Sequence, residues 1–128
     1  MTKECIICII IIIIIISLNI ITQNYTKQSV EQINEDLEEL KGKLEENSNK
    51  KEIQENIESI MEEWKKKFNI LAYFIEHDEL EKAETELTGL KANIEVEEYE
   101  QAVTELEKAE FILNHIKDKF KLEIKNVF

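Results

Sequence analysis

The sequence predicts an all-α protein, in which a single N-terminal transmembrane helix precedes a small antiparallel bundle of about four helices. The chain of 128 residues contains no Pro and only two Gly, so it lacks the turn residues that barrels, sandwiches and doubly wound sheets need. Its N-terminal segment is almost entirely apolar, and the apolar residues beyond it recur at helical spacing. The length limits the globular part to one domain.

The net charge excludes one class of partner. The chain has 16 Lys, no Arg and 28 acidic residues, for a formal charge of −12. Such a surface repels a phosphate backbone, and no basic stripe offsets it, so we expect no nucleic-acid binding.

The N-terminal segment has the composition of a membrane span. No polar side chain occurs from Cys5 to Ile16, and the apolar run closes at Ile21. At 1.5 Å per residue this run reaches about 25 Å, the short end of what crosses a hydrocarbon core. We predict an uncleaved signal anchor at residues 5–25. Residues expected to lie in lipid include Ile6, Ile10, Ile14, Leu18 and Ile21.

A cleaved secretory signal is the alternative, since Lys3 precedes the apolar run as a charged residue would in a signal peptide. Signal peptidase requires small residues after such a run, and the first Ala of this chain is Ala72. Cys5 and Cys8 form a C-x-x-C pair, but no other ligands stand near them, so we interpret them as small apolar residues, with acylation as the alternative.

The expected location is the cell membrane, with the N-terminus in the cytoplasm. Residues 1–4 would form a short cytoplasmic tail, and residues 26–121 an extracytoplasmic bundle. The charge bias is weak, but long acidic portions translocate regardless of their charge.

Beyond the span, the apolar spacing predicts four bundle helices joined by short connections, which favour antiparallel neighbours. They cover about residues 29–46, 50–76, 78–95 and 97–119. Ser29, Asn49 and Asp78 are the expected N-caps. Phe111 is expected to widen the apolar stripe of the last helix.

One end of this bundle gathers metal-ligand residue types. If each turn reverses the chain, the 76–79 turn and the end of the last helix share the pole nearest the membrane. His77, Asp78, Glu79, His115 and Asp118 would then lie close enough to suit a divalent cation. Capping by Asp78 and hydrogen-bonded histidines explain the same residues, and we favour that interpretation over a metal site.

The C-terminal segment, residues 122–128, alternates apolar and polar residues and is expected to be extended. Ile124, Val127 and Phe128 are candidates for contact with a partner or the bilayer, with packing inside the fold as the alternative.

No catalytic pattern is recognisable. The portion beyond the span has no Cys, and no G-x-S-x-G, Gly-rich loop or H-E-x-x-H occurs. Adjacent carboxylates such as Glu62 and Glu63 lie on faces expected to be solvated. We therefore expect neither an enzyme nor a cofactor.

The chain resembles the bacterial domain-of-unknown-function family 4363. The resemblance covers most of the chain, and it rests on Trp64 through Phe74, Glu76-His77-Asp78-Glu79-Leu80, Leu87-x-x-Leu90 and Leu122-x-Ile124-x-Asn126-Val127-Phe128. It implies an N-terminal membrane helix with an all-helical remainder, and it carries over no activity and no functional residue.

Two function classes follow. In the first, the protein is a non-enzymatic accessory or scaffold subunit whose acidic bundle binds another membrane or envelope protein. Self-association through the Val30–Leu44 seam is a variant of this class. In the second, the bundle is an extracytoplasmic ligand or cation sensor that acts through a partner.

Overall fold

The structure is a computed structural model that describes the backbone of residues 2–127 and the side chains of residues 2–121. It contains four α-helices and, over residues 2–127, no strand. They are α1 (Thr2–Glu45), α2 (Lys50–Leu71), α3 (His77–Glu95) and α4 (Tyr99–Val127). The all-α prediction with an apolar N-terminal helix and a helical bundle is confirmed.

Helix α1 runs unbroken from the apolar segment into the bundle. Its first half projects alone, with apolar side chains from Ile6 to Ile21 that are 42–62% exposed. This stretch is long and apolar enough to cross a membrane, as a membrane anchor or a signal sequence would be. The predicted cap at Ser29 is wrong, because Ser29 lies buried in the middle of α1, where no helix end needs a cap.

The four helices form a ring in which each contacts its neighbours in sequence and α4 closes against α1. Because the connections are short, consecutive helices run antiparallel. The core is a seam of buried side chains along each helix: Val30, Ile33, Leu37, Leu40 and Leu44 from α1; Ile53, Ile57, Ile60, Trp64 and Leu71 from α2; Leu80, Ala83, Leu87, Leu90 and Ile94 from α3; Ala102, Leu106, Ala109, Leu113 and Ile116 from α4. The Val30–Leu44 seam is thus buried within one chain.

Two asparagines determine the conformation of the connection between α1 and α2. Asn47 takes a left-handed conformation, φ 51°, and the Ser48 N–H donates to the Lys43 carbonyl at 3.0 Å, which closes the end of α1. The Asn49 side chain then accepts from the Lys51 N–H at 2.8 Å, so the predicted cap of α2 is confirmed.

The second connection differs from the prediction. Helix α2 ends at Leu71 rather than near Glu76, and Glu76 occupies the N-cap position of α3 without a side-chain bond. Asp78 lies inside the first turn of α3, so its predicted capping role is wrong. An acidic residue there still interacts favourably with the helix dipole.

Residues 122–127 are helical rather than extended, since α4 continues to Val127. The helical ladder satisfies backbone groups that an isolated extended segment would leave to water, and no Pro or Gly interrupts it. The contacts predicted for Ile124, Val127 and Phe128 lie outside the described side chains.

Candidate functional site

The connection between α2 and α3 lies beside the end of α4, as the topology predicts. The Lys119 ammonium is 3.5 Å from a Glu76 carboxylate oxygen and 3.4 Å from one of Glu79. Aromatic rings join the same region to α1, because Phe74 packs against Tyr25 and Phe120 with ring centroids 6.3 and 5.6 Å apart. We call this end of the bundle, next to the apolar half of α1, the basal pole.

The residues considered as candidate metal ligands do not form a metal site at the basal pole. His77 Nε2 contacts a Glu81 carboxylate oxygen at 2.9 Å, and the His77 ring packs edge-on against Phe68. Asp118 lines a groove against α1 instead, and His115 is exposed on α4. Among the side chains described, no three His, Cys, Asp or Glu residues are placed to hold one metal ion.

A basic groove lies where α1 enters the bundle. It has a volume of about 350 Å³, and its walls are Gln23, Asn24, Lys27, Lys117, Asp118 and Lys121. We call it the Lys27 groove. Among the side chains of residues 2–121, none of the ion pairs involves Lys27, Lys117 or Lys121. Sequence analysis missed it, because Lys27 and the two α4 lysines are some 90 residues apart along the chain.

Charge is segregated between the Lys27 groove and the rest of the bundle. Residues 28–116 contain 10 Lys and 25 acidic residues, whereas the stretches 22–27 and 117–121 together contain four Lys and one acidic residue. The sides and far end of the bundle are therefore strongly acidic, and positive charge collects beside the apolar helix.

Two carboxyl pairs cross from α4 to its neighbours. Burial and a hydrogen bond with the Glu38 carboxyl raise the pKa of Glu110 to about 7. Glu110 Oε1 is buried and has no hydrogen-bond donor when both carboxyls are ionised. A proton shared between Glu38 and Glu110 would give this oxygen a hydrogen bond. A hydrogen bond with Glu105 raises the pKa of Glu86, and the same bond lowers that of Glu105.

Phe111 projects into solvent and is 74% exposed, so its predicted place in the apolar stripe of α4 is wrong. The buried Ala109 and Leu113 flank it by two residues, which turns it about 200° away from the core. It lines an open groove of about 350 Å³ with Ile112, Glu86, Thr104, Glu107 and Lys108. Aromatic rings are frequent anchors of protein interfaces, so Phe111 is a candidate contact residue.

A family model described as a domain of unknown function (DUF4363) matches residues 20–127. Comparison with curated proteins and with solved structures gives no significant match.

Proposed function

The chain belongs to the DUF4363 family, and we propose that it is a membrane-anchored accessory or scaffold protein without enzymatic activity. Its apolar N-terminal helix would hold it in the cell membrane, with the N-terminus cytoplasmic and the bundle extracytoplasmic. The bundle would bind another membrane or envelope protein through α4. The single observation that carries this proposal is Phe111, a large apolar side chain that the fold holds in solvent on a rigid helix.

The surroundings of Phe111 suggest the chemistry of the partner. Glu86 and Glu107 line the same groove, within a bundle of large negative charge. We expect a basic surface with an apolar pocket that receives the ring. Such charge complementarity accelerates association and fixes orientation, while the buried aromatic anchor supplies most of the affinity.

The core is closely packed, so the proposed binding surface lies on the outside of the bundle. The seams of all four helices fill the core, and the small hollow between Ile75 and Phe120 has a volume of only about 20 Å³, room for about one water molecule. The carboxyl pairs Glu38–Glu110 and Glu86–Glu105 lie at helix contacts, where they influence packing.

The test is co-purification of tagged full-length protein from its native membrane after mild cross-linking, with partners identified by mass spectrometry. The Phe111→Ser variant should lose the partner by at least about 30-fold, the effect of a strong interface anchor. Its unfolding free energy should stay within about 0.5 kcal/mol of the unmodified protein, because the ring is exposed.

Val96→Ser is the matched control, since Val96 is also apolar and exposed but lies in the connection between α3 and α4. It should retain the partner. Equal capture by the unmodified protein and both variants would refute the role of Phe111, and recovery of the tagged protein alone would refute the accessory role.

The sensor alternative receives no comparable support. Its cation form was expected at His77 and His115, and among the described side chains no three His, Cys, Asp or Glu residues are placed to hold one metal ion. Its ligand form stays a prediction.

A further inference from the structure

We propose that the Lys27 groove binds the phosphate headgroup of an anionic phospholipid in the leaflet next to the bundle. This inference rests on the membrane anchoring proposed above, and it adds a ligand class and a site to it. It is independent of the Phe111 partner.

Because α1 is continuous, it fixes how far the Lys27 groove lies beyond the apolar run. Ile21 is the last residue of the apolar run, and α1 continues without a break through Gln23, Asn24 and Lys27. At 1.5 Å per residue these three residues lie about 3 to 9 Å beyond Ile21. That interval is the polar headgroup layer, which adds about 5 to 8 Å on each side of the hydrocarbon core.

The chemistry of the groove fits a phosphodiester. Three ammonium groups, Lys27, Lys117 and Lys121, face one carboxylate, Asp118, and the amide groups of Gln23 and Asn24 add neutral donors. Side chains on a helix lean toward its N-terminus, so Lys27 on α1 leans toward the bilayer, whereas Lys117 and Lys121 on the antiparallel α4 lean away from it. The long, flexible lysine side chain compensates for this lean, since lysines near a membrane surface extend toward lipid phosphates.

The absence of local ion pairs strengthens the argument. In a chain with 28 acidic residues, Lys119 bridges Glu76 and Glu79 across the basal pole. Lys117 and Lys121, two residues away on either side along the same helix, form no ion pair with the other described side chains. Their charges are therefore available to an external anion.

Aromatic residues lie at the same height along α1 as the Lys27 groove. Tyr25 lies between Asn24 and Lys27 along α1 and packs against Phe74, which in turn contacts Phe120 between Lys119 and Lys121. Tyr73, in the adjoining connection, is 88% exposed. Aromatic side chains are enriched where a membrane protein crosses the headgroup layer, so this belt and the groove point to one interface.

The experiment is native mass spectrometry of full-length protein in detergent, titrated in parallel with phosphatidylglycerol and phosphatidylcholine of equal chain length. We expect one phosphatidylglycerol to bind at least fivefold more tightly than phosphatidylcholine, with the preference falling as salt rises. The variant Lys27→Gln/Lys117→Gln/Lys121→Gln should bind the two lipids equally.

The matched control is Lys51→Gln/Lys65→Gln/Lys91→Gln, which removes the same charge from lysines outside the groove and should keep the preference. Thermal unfolding of both variants checks that the bundle stays folded. Inorganic phosphate at 10-fold excess over lipid distinguishes the two sources of this chemistry: a lipid site keeps its lipid, and loss of the lipid would indicate a free-phosphate site and refute the proposal.

Two results would overturn the inference: equal binding of both lipids by the unmodified protein, or an undiminished preference in the groove variant. Flotation of the full chain with phosphatidylcholine vesicles tests anchoring separately. If the protein floats but shows no lipid preference, the groove proposal fails alone; if it does not float, the anchoring fails with it.

Discussion

Replacement of Glu110 by Gln should stabilise the bundle at neutral and alkaline pH. The Glu110 side chain is half-buried between α4 and α1, beside the Glu38 carboxyl, and its pKa is raised to about 7. The folded state therefore binds a proton more tightly than the unfolded chain, whose Glu titrates near 4.5. The stability that this proton contributes is complete below about pH 4.5 and is lost as the pH rises through about 7.

The size of the effect follows from the pKa difference. Taken at full value, a rise from 4.5 to about 7 corresponds to about 3 kcal/mol at pH 8. Because Glu110 is only partly buried, solvent screening reduces this to about 1 kcal/mol. Gln has nearly the same shape as Glu, and its amide N–H can donate a hydrogen bond to the Glu38 carboxylate without taking up a proton from solvent. Glu110→Gln should therefore recover that amount of unfolding free energy. For a domain of this size the melting temperature would rise by about 4 to 8 °C.

The assay is thermal unfolding of full-length protein in detergent, followed by circular dichroism between pH 4.5 and 8.5. The unmodified protein should lose stability across this window, and Glu110→Gln should flatten the profile. The control Glu55→Gln, at an exposed position on α2, removes one charge without this burial and should keep the original slope. An identical pH slope in Glu110→Gln, or a lower melting temperature at pH 8, would refute the reasoning.

Four further substitutions test the fold by the same unfolding measurement. Gly42→Ala should stabilise α1 by about 0.5 to 1 kcal/mol, because an added Cβ meets no atom within 4 Å; Gly89→Ala should gain less, since its Cβ would lie 3.3 Å from Glu105 Oε2. Asn49→Ala should cost about 1 kcal/mol, because it removes the cap of α2. Leu37→Ala should cost about 2 to 5 kcal/mol, because the side chain is fully buried in the core.

The predictions for Gly42→Ala, Asn49→Ala and Leu37→Ala each have an outcome that would contradict them. Destabilisation by Gly42→Ala would mean that α1 is not helical at that point. An unchanged melting temperature for Asn49→Ala would show that the 2.8 Å cap does not form in solution. A cost below 1 kcal/mol for Leu37→Ala would place this residue outside the packed core.

The periodicity of the sequence predicts most of the fold, because burial in a helical bundle follows a pattern of threes and fours along each chain segment. Leu80, Leu87 and Leu90 face the core as their spacing indicates. The same logic failed at Ser29, where a capping pattern occurs inside a helix that has already begun. A capping pattern of four residues does not indicate whether the apolar segment before it is already helical and continues through it without a break.

The candidate sites were less predictable, since each combines residues from separate helices. The pairing of Glu38 with Glu110 and the Lys27 groove depend on which face of α4 turns toward α1. Phe111 is the exception, because its position two residues from Ala109 and from Leu113 already places it opposite the core, and helical phase alone would have identified it.

The unbroken helix α1 makes the bundle a rigid extension of the proposed membrane anchor. About 20 residues of α1 lie within the bundle and extend about 30 Å, so a 20° tilt of the apolar segment would move the far end by about 10 Å. The other three helices lie to one side of α1, so tilting toward them would press the basal pole into the headgroups, and tilting away would lift it. Bilayer thickness and lipid composition would thereby set the direction in which Phe111 faces a partner.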